Sequence, residues 1–580
     1  MVKKLLKSVR EYKKASILAP IIISFEVILE CIMPFITAKL VTEIQNGCEM
    51  KTIVKYGLIL IALAFASLSC GALAGHFAAI ASCGFAKNLR HDLFYSIQDF
   101  SFSNVDKFSS SSLVTRLTTD VANVQMSYMM IIRTAIRSPL MLIFATTMAV
   151  VVGGKLALAF AIVIPLLAFG LIYIIKSAMP IFKSVFKKYD NLNNSIQENV
   201  SGMRVVKAYV REDYEKKKFS AASDEVCADF TKAEKFLALN NPLMGLCIHI
   251  ATVVITLFGS QLIIKSNGTA LNVGELASLL TYSIQILMSL MMLSMIFVII
   301  TISIESGRRI VEVLDEESSI KNPENPVIKV SDGSIKFTNV SFRYSEKAEK
   351  FALKNIDLEI KPGETVGIIG GTGSSKSTLI QLISRLYDVT EGSVKVGGID
   401  VRDYDIESLR REVSVVLQKN ILFAGTIKEN LRWGDENASD EEIERICKMA
   451  QADEFIQKFP DKYDTHIEQG GTNVSGGQKQ RLCIARALIR KPKILILDDS
   501  TSAVDTKTDA LIQKAFAEEI PNTTKIIIAQ RISSVQNSDK IVVMNNGTID
   551  AIGTHEELLA SNEIYREVYQ SQNKGGEDNE

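Results

Sequence analysis

The residue types best suited to chemistry are concentrated in a glycine-rich run that ends in a lysine and two hydroxyl side chains. Its members are Gly370, Gly371, Thr372, Gly373, Ser374, Ser375, Lys376, Ser377 and Thr378. The run follows an apolar stretch at 365–369, typical of a short strand, and precedes a helix-like stretch at 379–386. In such a unit, backbone N–H groups and the helix N-terminus bind phosphates, the lysine reaches the outer phosphates, and the next hydroxyl ligates Mg²⁺. We therefore predict a phosphate-binding loop in which Lys376 contacts the β- and γ-phosphates and Ser377 binds the metal.

One residue of this loop departs from the usual pattern. The pattern has glycine immediately before the lysine, where this chain has Ser375. If that position requires a positive φ or a close approach of the backbone to phosphate, serine is tolerated there at some cost. The strand and helix on either side still make a chance match remote.

Two consecutive acids, Asp498 and Asp499, follow a second apolar stretch at 493–497. A carboxylate at the carboxyl end of such a strand matches the Mg²⁺-associated acid of phosphate-binding loop proteins, so Asp498 is predicted to share the ion with Ser377. Between the two strands, a serine hydroxyl and two glycine amides at the start of a predicted helix form a γ-phosphate clamp. The residues of this clamp are Ser475, Gly476, Gly477 and Gln478.

The composition indicates that these motifs occupy only one part of a chain with two different halves. The chain has 580 residues, too many for one compact core, and it is 47% hydrophobic yet 22% charged. Long apolar runs dominate residues 17–304, and the chain from about residue 305 has the pattern of a soluble α/β domain. Lys plus Arg and Asp plus Glu both number 65, so the charge gives no reason to expect a nucleic-acid partner.

The apolar half contains six stretches long enough to span a bilayer, which needs about 20 apolar residues. They are residues 17–44, 53–81, 130–152, 156–178, 242–264 and 276–302. The two long connections, 84–129 and 179–241, are rich in lysine and arginine, as is the N-terminus. The positive-inside rule therefore places both termini and both long connections in the cytosol. Their helical periodicity predicts rods with tips near 102–112 and 208–214, where short helices could dock on a cytosolic domain.

Several polar and sulfur-containing residues within these spans are candidates for a substrate cavity. Glu26 and Glu30 lie four residues apart on one face of the first span, and a carboxylate in hydrocarbon requires a cation, a wet cavity or a partner charge. One interpretation is recognition of cationic substrates; the other is pairing with Arg133 or Arg137 in the third span. A soft, adaptable surface is predicted in the sixth span, with ordinary helix packing as the alternative. It consists of Met288, Met291, Met292 and Met295.

With these motifs in order, nearly the whole chain resembles a half-transporter of the ABC exporter family. The resemblance implies an α-helical six-span membrane domain with long cytosolic helical extensions, followed by an α/β P-loop nucleotide-binding domain. The implied ranges are 1–310 for the membrane domain, 311–330 for a linker, 331–570 for the nucleotide-binding domain and 571–580 for a flexible tail. It implies that Tyr344 stacks on adenine and that Gln418 touches Mg²⁺. It also implies a D-loop at 502–505, an X-loop at 468–471, ATP and Mg²⁺ as cofactors, and pairing of two such domains head to tail.

Two residues depart from the family pattern. The family normally has Glu at the position of Asp499, where it polarises the attacking water, and His at the position of Gln530, where it contacts the γ-phosphate. Asp is shorter by one methylene, and a misplacement of about 1 Å costs ~10²-fold in rate, while loss of a general base costs ~10²–10⁴-fold. Glutamine can donate a hydrogen bond but cannot carry a proton. Both changes weaken hydrolysis and spare binding.

This combination resembles the degenerate-site subunit of a heterodimeric multidrug exporter. The expected partner is a second half-transporter with the Glu and the His intact, whose catalytic site is completed by Ser475–Gln478 of this chain. The expected substrate is an amphipathic small molecule, the expected location is a bacterial plasma membrane, and the lipid bilayer is the remaining partner. Open alternatives are a lipid or peptide exporter, a homodimeric exporter with slow hydrolysis, and an ATP-sensing regulatory or channel-like subunit. An importer is disfavoured because its membrane and ATP-binding parts usually occupy separate chains.

Overall fold

The chain folds into two compact units, which are described separately. The computed structural model describes residues 1–266, 268–345, 348–499 and 504–577. The first unit contains Met1–Gln98 and Ser109–Glu316, and the second contains Asp99–Phe108 and Glu317–Glu580. The segment Asp99–Phe108 thus belongs to the second unit although both of its sequence neighbours belong to the first.

The first 316 residues are almost entirely helical where described. The helices are α1 (Val2–Lys7), α2 (Lys13–Gln45), α3 (Met50–Gln98), α4 (Phe102–Phe108), α5 (Ser110–Thr115), α6 (Val121–Ile132), α7 (Thr134–Gly153), α8 (Phe160–Ser201), α9 (Met203–Ala208), α10 (Glu212–Leu237), α11 (Asn240–Ser266) and α12 (Val273–Asp315). Shorter 3₁₀ turns at Arg10–Tyr12 and Gly154–Ala159, and a π-helical turn at Arg116–Asp120, connect some of them. The rod-like connections predicted from the sequence are therefore helical.

Five helical segments in the described residues are long and apolar enough to cross a membrane. They are Arg10–Gln45, Met50–Gln98, Ser110–Phe182, Glu212–Ser266 and Val273–Asp315. The third and fourth predicted spans both lie in Ser110–Phe182, which is 73 residues long and contains α7 and the start of α8. The short turn Gly154–Ala159 between them is 3₁₀-helical, so the helical run is not interrupted by a loop. The count of six spans stays a prediction.

Small and branched apolar side chains hold the membrane unit together, while large ones cover its outside. A buried cluster joins α2, α7, α8, α11 and α12 through residues such as Val27, Ala145, Leu167, Ile255 and Ile286. On the outer surface, Phe65, Leu68 and Phe169 are among the exposed large hydrophobic residues. Such a surface is stable in hydrocarbon, because lipid tails are as apolar as the side chains they meet.

The second unit is built around two sheets. The strands are β1 (Ile335–Phe342), β2 (Leu353–Ile360), β3 (Thr365–Gly370), β4 (Glu391–Val396), β5 (Ile399–Asp400), β6 (Val413–Val416), β7 (Gly425–Thr426), β8 (His466–Ile467), β9 (Ile494–Asp498), β10 (Thr524–Ile528), β11 (Lys540–Asn545) and β12 (Thr548–Gly553). A six-stranded sheet has the order β12-β11-β3-β10-β9-β6, in which only β12 is antiparallel to its neighbour. A four-stranded antiparallel sheet has the order β2-β1-β4-β5.

Helices cover both faces of the larger sheet. They are α13 (Lys376–Ile383), α14 (Ile406–Glu412), α15 (Ile427–Arg432), α16 (Asp440–Met449), α17 (Asp453–Ile456), α18 (Gly476–Leu488), α19 (Thr506–Glu519), α20 (His555–Ser561) and α21 (Glu563–Glu577). One buried cluster fills the space between the two sheets and α13, and a second packs α16, α18, α19 and α21 against the other face. In open α/β sheets, ligands bind beyond the carboxyl ends of the strands. Here those ends are Gly370, Ile528 and Asp498 on adjacent strands.

The C-terminal end of the described chain is the helix α21. It begins at Glu563, before the predicted tail at 571–580, and is helical to Glu577, and residues 578–580 lie outside the described part. The helix is strongly amphipathic in sequence, and its Tyr565 is fully buried while Val568 and Tyr569 pack against the core of the second unit. This packing anchors the first turns of α21 through residues that precede 571–580, and the flexible tail stays a prediction.

The two predicted rod tips have different surroundings. The first tip, α4, packs within the second unit: the Asp106 carboxylate accepts a 2.7 Å hydrogen bond from the Tyr387 hydroxyl, and Phe102 contacts the Tyr387 ring edge-on. The second tip is the short helix α9 and the turn after it, in the first unit. Its Tyr209 and Val210 are 75% and 80% exposed. The first tip therefore packs within the second unit, in line with the expected docking. The second tip leaves the side chains of Tyr209 and Val210 exposed on the surface of this chain.

Candidate functional site

The glycine-rich run forms the loop between β3 and α13, as its sequence predicted. The Lys376 ammonium donates to the carbonyls of Gly370 and Gly371 at 2.8 and 2.9 Å. Burial lowers the pKa of Lys376, and the nearby Asp498 and Asp499 carboxylates oppose that shift. A Cβ added at Gly371 or at Gly373 would meet no atom within 4 Å, so open space lies beside the loop. Open space beside a glycine-rich loop, together with the ammonium of its lysine, fits the phosphates of a nucleotide.

Ser375 confirms the conformational requirement suspected at its position. Its backbone has φ +70° and ψ +27°, which is the left-handed region that favours glycine. A left-handed conformation costs a residue with a Cβ ~1–2 kcal/mol. The chain therefore keeps the loop conformation of the pattern at an energetic cost that glycine would avoid.

Ser377 and Asp498 lie together in the manner expected of two magnesium ligands. The Ser377 hydroxyl donates to the Asp498 carboxylate at 3.0 Å. Burial raises the pKa of Asp498, and the bond from Ser377 opposes the shift. Hydroxyl and carboxylate oxygens are the ligands that Mg²⁺ prefers, and such sites usually take only one or two carboxylates and complete the shell with phosphate oxygens and water. These two residues therefore fit the ion, and they would hold it beside the phosphates.

Asp499 and Gln530 contact each other directly. The Gln530 side-chain amide donates to the Asp499 carboxylate at 2.8 Å. Burial raises the pKa of Asp499, while hydrogen bonds from Gln418 and Gln530 lower it. Gln418, predicted as a magnesium contact, is therefore placed against Asp499. The carboxylate is engaged by two amide side chains, neither of which can take up its proton.

The backbone at Asp499 is also left-handed, with φ +49°. Its N–H donates to the Ile528 carbonyl at 3.0 Å, which fixes the turn at the end of β9. Asp and Asn are several-fold enriched among residues with positive φ because their short polar side chains interact locally. The conformation thus suits the aspartate found here.

Tyr344 lies beside the phosphate-binding loop helix. Its hydroxyl is 2.9 Å from the Thr378 hydroxyl, and its ring contacts Phe342 and Tyr387 edge-on. Half of the side chain is exposed. An exposed ring at this edge of the loop suits stacking on a base, which is the role that the family resemblance implies for it.

The predicted γ-phosphate clamp forms the N-terminus of α18. Ser475 and Gln478 make a reciprocal capping box: the Ser475 N–H donates to the Gln478 side chain at 2.9 Å, and the Gln478 N–H donates to the Ser475 hydroxyl at 3.3 Å. Gly476 and Gly477 occupy the first turn, and a helix N-terminus favours anions. In the predicted D-loop, residues 502 and 503 lie outside the described part, and Asp505 caps α19 through a bond from the Thr508 N–H.

The membrane unit contains an open cavity of about 600 Å³ between α2, α7 and α12. Glu30, Arg137, Met288 and Met292 line it, whereas Glu26, Met291 and Met295 do not. The Arg137 guanidinium donates to both Glu30 oxygens at 2.7 Å and lies 3.7 Å from Glu26. The geometry thus contains the arginine pairing that was one of two interpretations of these carboxylates.

Two residues that touch this machinery, Tyr387 and Gln572, were not expected from the sequence. Tyr387 connects Tyr344 to Asp106, and Gln572 of α21 bonds to the backbone on both sides of Arg531. Neither contact has a local sequence signal, because each joins residues more than 39 positions apart.

The fold and the site together define a membrane transporter with an attached nucleotide-binding domain. Residues 17–291 match the model of the ABC transporter transmembrane region, and residues 353–502 match that of the ABC transporter domain. The chain is 37% identical over 569 residues to an uncharacterized ABC transporter ATP-binding protein, YfiB, of Bacillus subtilis (strain 168), covering 98% of each chain. It is 34% identical over 487 residues to the ATP-dependent lipid A-core flippase of Desulfotalea psychrophila, covering 84% of each.

A solved structure shows the same fold at greater sequence distance. A bacterial Atm1-family ABC exporter with ATP bound aligns with a TM-score of 0.81 at 23% identity, covering 97% of this chain and 98% of that one. The chain therefore belongs to the ABC transporter family. It has the exporter fold, a helical membrane domain followed by an ATP-binding domain, and it is a transport ATPase.

Proposed function

We propose that this chain is the degenerate-site subunit of a heterodimeric ABC exporter. The observation that carries the proposal is the Asp499–Gln530 pair, in which the short carboxylate is bonded at 2.8 Å by an amide that cannot accept a proton. The residues that bind remain in place: Lys376 at the loop, and Ser377 with Asp498 for Mg²⁺. ATP would be bound at this P-loop and hydrolysed slowly.

The second half of the proposal concerns what this chain gives its partner. The capping box orders Ser475–Gln478 at an exposed helix N-terminus, ready to meet the γ-phosphate of a nucleotide bound by another chain. The exposed tip around Tyr209 and Val210 supports the same arrangement, because apolar side chains there require cover. The proposed partner is a second half-transporter that has Glu at the position of Asp499 and His at the position of Gln530. The clamp Ser475–Gln478 of this chain would complete the hydrolytic site of that partner.

The proposed topology and substrate follow from the membrane unit. Six spans, with both termini and the ATP-binding domain in the cytoplasm of a bacterial plasma membrane, suit the basic N-terminus and the basic long connections. The cavity around Glu30, Arg137 and the methionines of α12 combines a charged pair with soft apolar walls, which suits an amphipathic small molecule. Because Arg137 pairs with Glu30 and lies near Glu26, a purely cationic specificity is not required.

A lipid is the second candidate substrate. The observation that favours it is the 34% identity with a protein named for flipping lipid A-core. A lipid, like an amphipathic drug, presents both apolar and polar parts to such a cavity.

The test is to purify the chain alone and together with candidate half-transporters that have Glu at the position of Asp499 and His at the position of Gln530. The account expects low ATPase activity for the chain alone and substrate-stimulated ATPase activity for one pair. Ordinary transporter rates from the chain alone would refute the degenerate-site assignment. ATP-dependent conductance without substrate stimulation in the pair would favour a channel-like subunit instead.

A further inference from the structure

The last described helix, α21, is firmly attached to the second unit. The Tyr565 side chain is fully buried, and its hydroxyl lies 2.7 Å from His555 Nδ1. The Tyr565 N–H donates to the Asn562 side chain at 2.8 Å. Val568 and Tyr569, one turn further on, pack against the same core cluster that contains Ile532. These contacts fix where the following turn of the helix lies.

That following turn carries Gln572, whose side-chain amide bonds to the backbone on both sides of Arg531. Its Nε2 donates to the Gln530 carbonyl at 2.8 Å, and its Oε1 accepts from the Ile532 N–H at 2.9 Å. One side chain thus satisfies an acceptor and a donor of a segment that leaves the sheet after β10. On the other side of Gln530, the Ala529 N–H donates to the Ile368 carbonyl of β3 at 3.3 Å. The backbone of Gln530 is therefore held from the sheet on one side and from α21 on the other.

The side chain of Gln530 starts from this fixed backbone and reaches Asp499. Where the backbone at position 530 lies decides where its side chain can meet the γ-phosphate, and a shift of about 1 Å at such a place costs ~10²-fold in rate. We propose that Gln572 is a positioning residue for the switch position 530, and that α21 thereby controls the nucleotide site from the C-terminal end of the chain. The consequence for turnover rests on the proposed role of position 530; the positioning itself does not.

The chain offers a matched control on the same helix. Gln570 is exposed, two positions earlier, and makes no side-chain hydrogen bond among the described contacts. Gln572→Ala and Gln570→Ala therefore remove the same atoms from neighbouring positions of α21. Both side chains are exposed, so neither substitution disturbs the core, and an unchanged melting temperature verifies this.

The first measurement is hydrogen–deuterium exchange of the full chain, resolved to single amides by fragmentation. In Gln572→Ala the Ile532 amide should exchange about fivefold faster, which corresponds to the loss of a hydrogen bond of about 1 kcal/mol at 1.36 kcal/mol per factor of ten. The Ala529 amide, bonded to β3, should be unchanged, and so should Ile532 in Gln570→Ala. Equal exchange at Ile532 in the two variants would overturn the inference.

The second measurement separates positioning from simple stabilisation. In a background with Asp499→Glu and Gln530→His, where this site should gain turnover, Gln572→Ala should lower kcat by at least about fivefold and leave KM for ATP unchanged. A rise in KM with constant kcat would overturn the positioning role. If the background itself gains no turnover, the proposed function fails, while the exchange result still decides whether Gln572 positions the loop.

Discussion

Because Asp499 and Gln530 contact each other, we predict that ATP turnover at this site rises strongly only when both are replaced together by the usual Glu and His. Replacing Asp499 by Glu adds one methylene, about 1.5 Å of reach, to a carboxylate already 2.8 Å from the Gln530 amide. The longer side chain therefore collides with Gln530 unless one of them rotates away. Glutamate in addition tolerates the left-handed backbone at φ +49° less well than aspartate. The gain in turnover from each single substitution is therefore limited by the residue left at the other position.

The magnitudes follow from the two roles that are missing. A positioned general base contributes ~10²–10⁴-fold to a rate, so the double variant Asp499→Glu, Gln530→His should raise turnover at this site by about that range. Each single variant should gain at most about threefold, because it is limited by the residue left at the other position. The interaction between the two changes should therefore exceed ~1.4 kcal/mol, within the range found for residues in contact.

The assay is a double-mutant cycle on ATP turnover of the full chain, with the four forms measured under identical conditions. Asp498→Asn in each form is the control, since it removes the proposed magnesium ligand and should abolish turnover throughout. Single-variant gains that add to within about 0.5 kcal/mol would show that the two residues act independently, and would refute the reasoning from their contact.

Three further outcomes follow from individual contacts. Ser375→Gly should stabilise the chain against thermal unfolding by ~1 kcal/mol, because glycine adopts φ +70° without strain; an unchanged or lower melting temperature would contradict this. Tyr387→Phe removes the 2.7 Å hydrogen bond to Asp106 of α4 and should reduce substrate stimulation of the ATPase without changing the affinity for ATP. The control Tyr463→Phe removes a hydrogen bond of equal length to Asp453 and should leave substrate stimulation unchanged. Arg137→Met leaves the Glu30 carboxylate without its arginine partner between apolar helices and should lower the melting temperature of the chain, with much of the loss recovered in Arg137→Met, Glu30→Met.

The parts of the fold that come from local pattern could be predicted from the sequence. The glycine-rich run, the apolar strand before it and the capping residue Ser475 each determine their own backbone conformation, and all three form as expected. The positive φ at Ser375 was also foreseeable, because the pattern has glycine there. These features depend on neighbours within a few residues.

The features that were missed depend on contacts between distant parts of the chain. The first turns of α21 are held against the core because Tyr565 is buried, which no local property of a polar C-terminal sequence reveals. Tyr387 and Gln572 gain their roles only when α4 and α21 are in place. In the sixth span, helical periodicity alone does not tell which methionines face the cavity, and two of the four proved to lie outside its lining.

The proposed division of labour between two chains is tested most directly by substituting separately the clamp that this chain would lend and the site that it would keep. In a purified active pair, Ser475→Ala should reduce ATP turnover severely, because in the proposed arrangement Ser475 completes the partner's site. Asp499→Ala in the same pair should slow turnover far less, because in that arrangement the site it alters contributes little hydrolysis. Equal losses from both substitutions, or a larger loss from Asp499→Ala, would contradict the account.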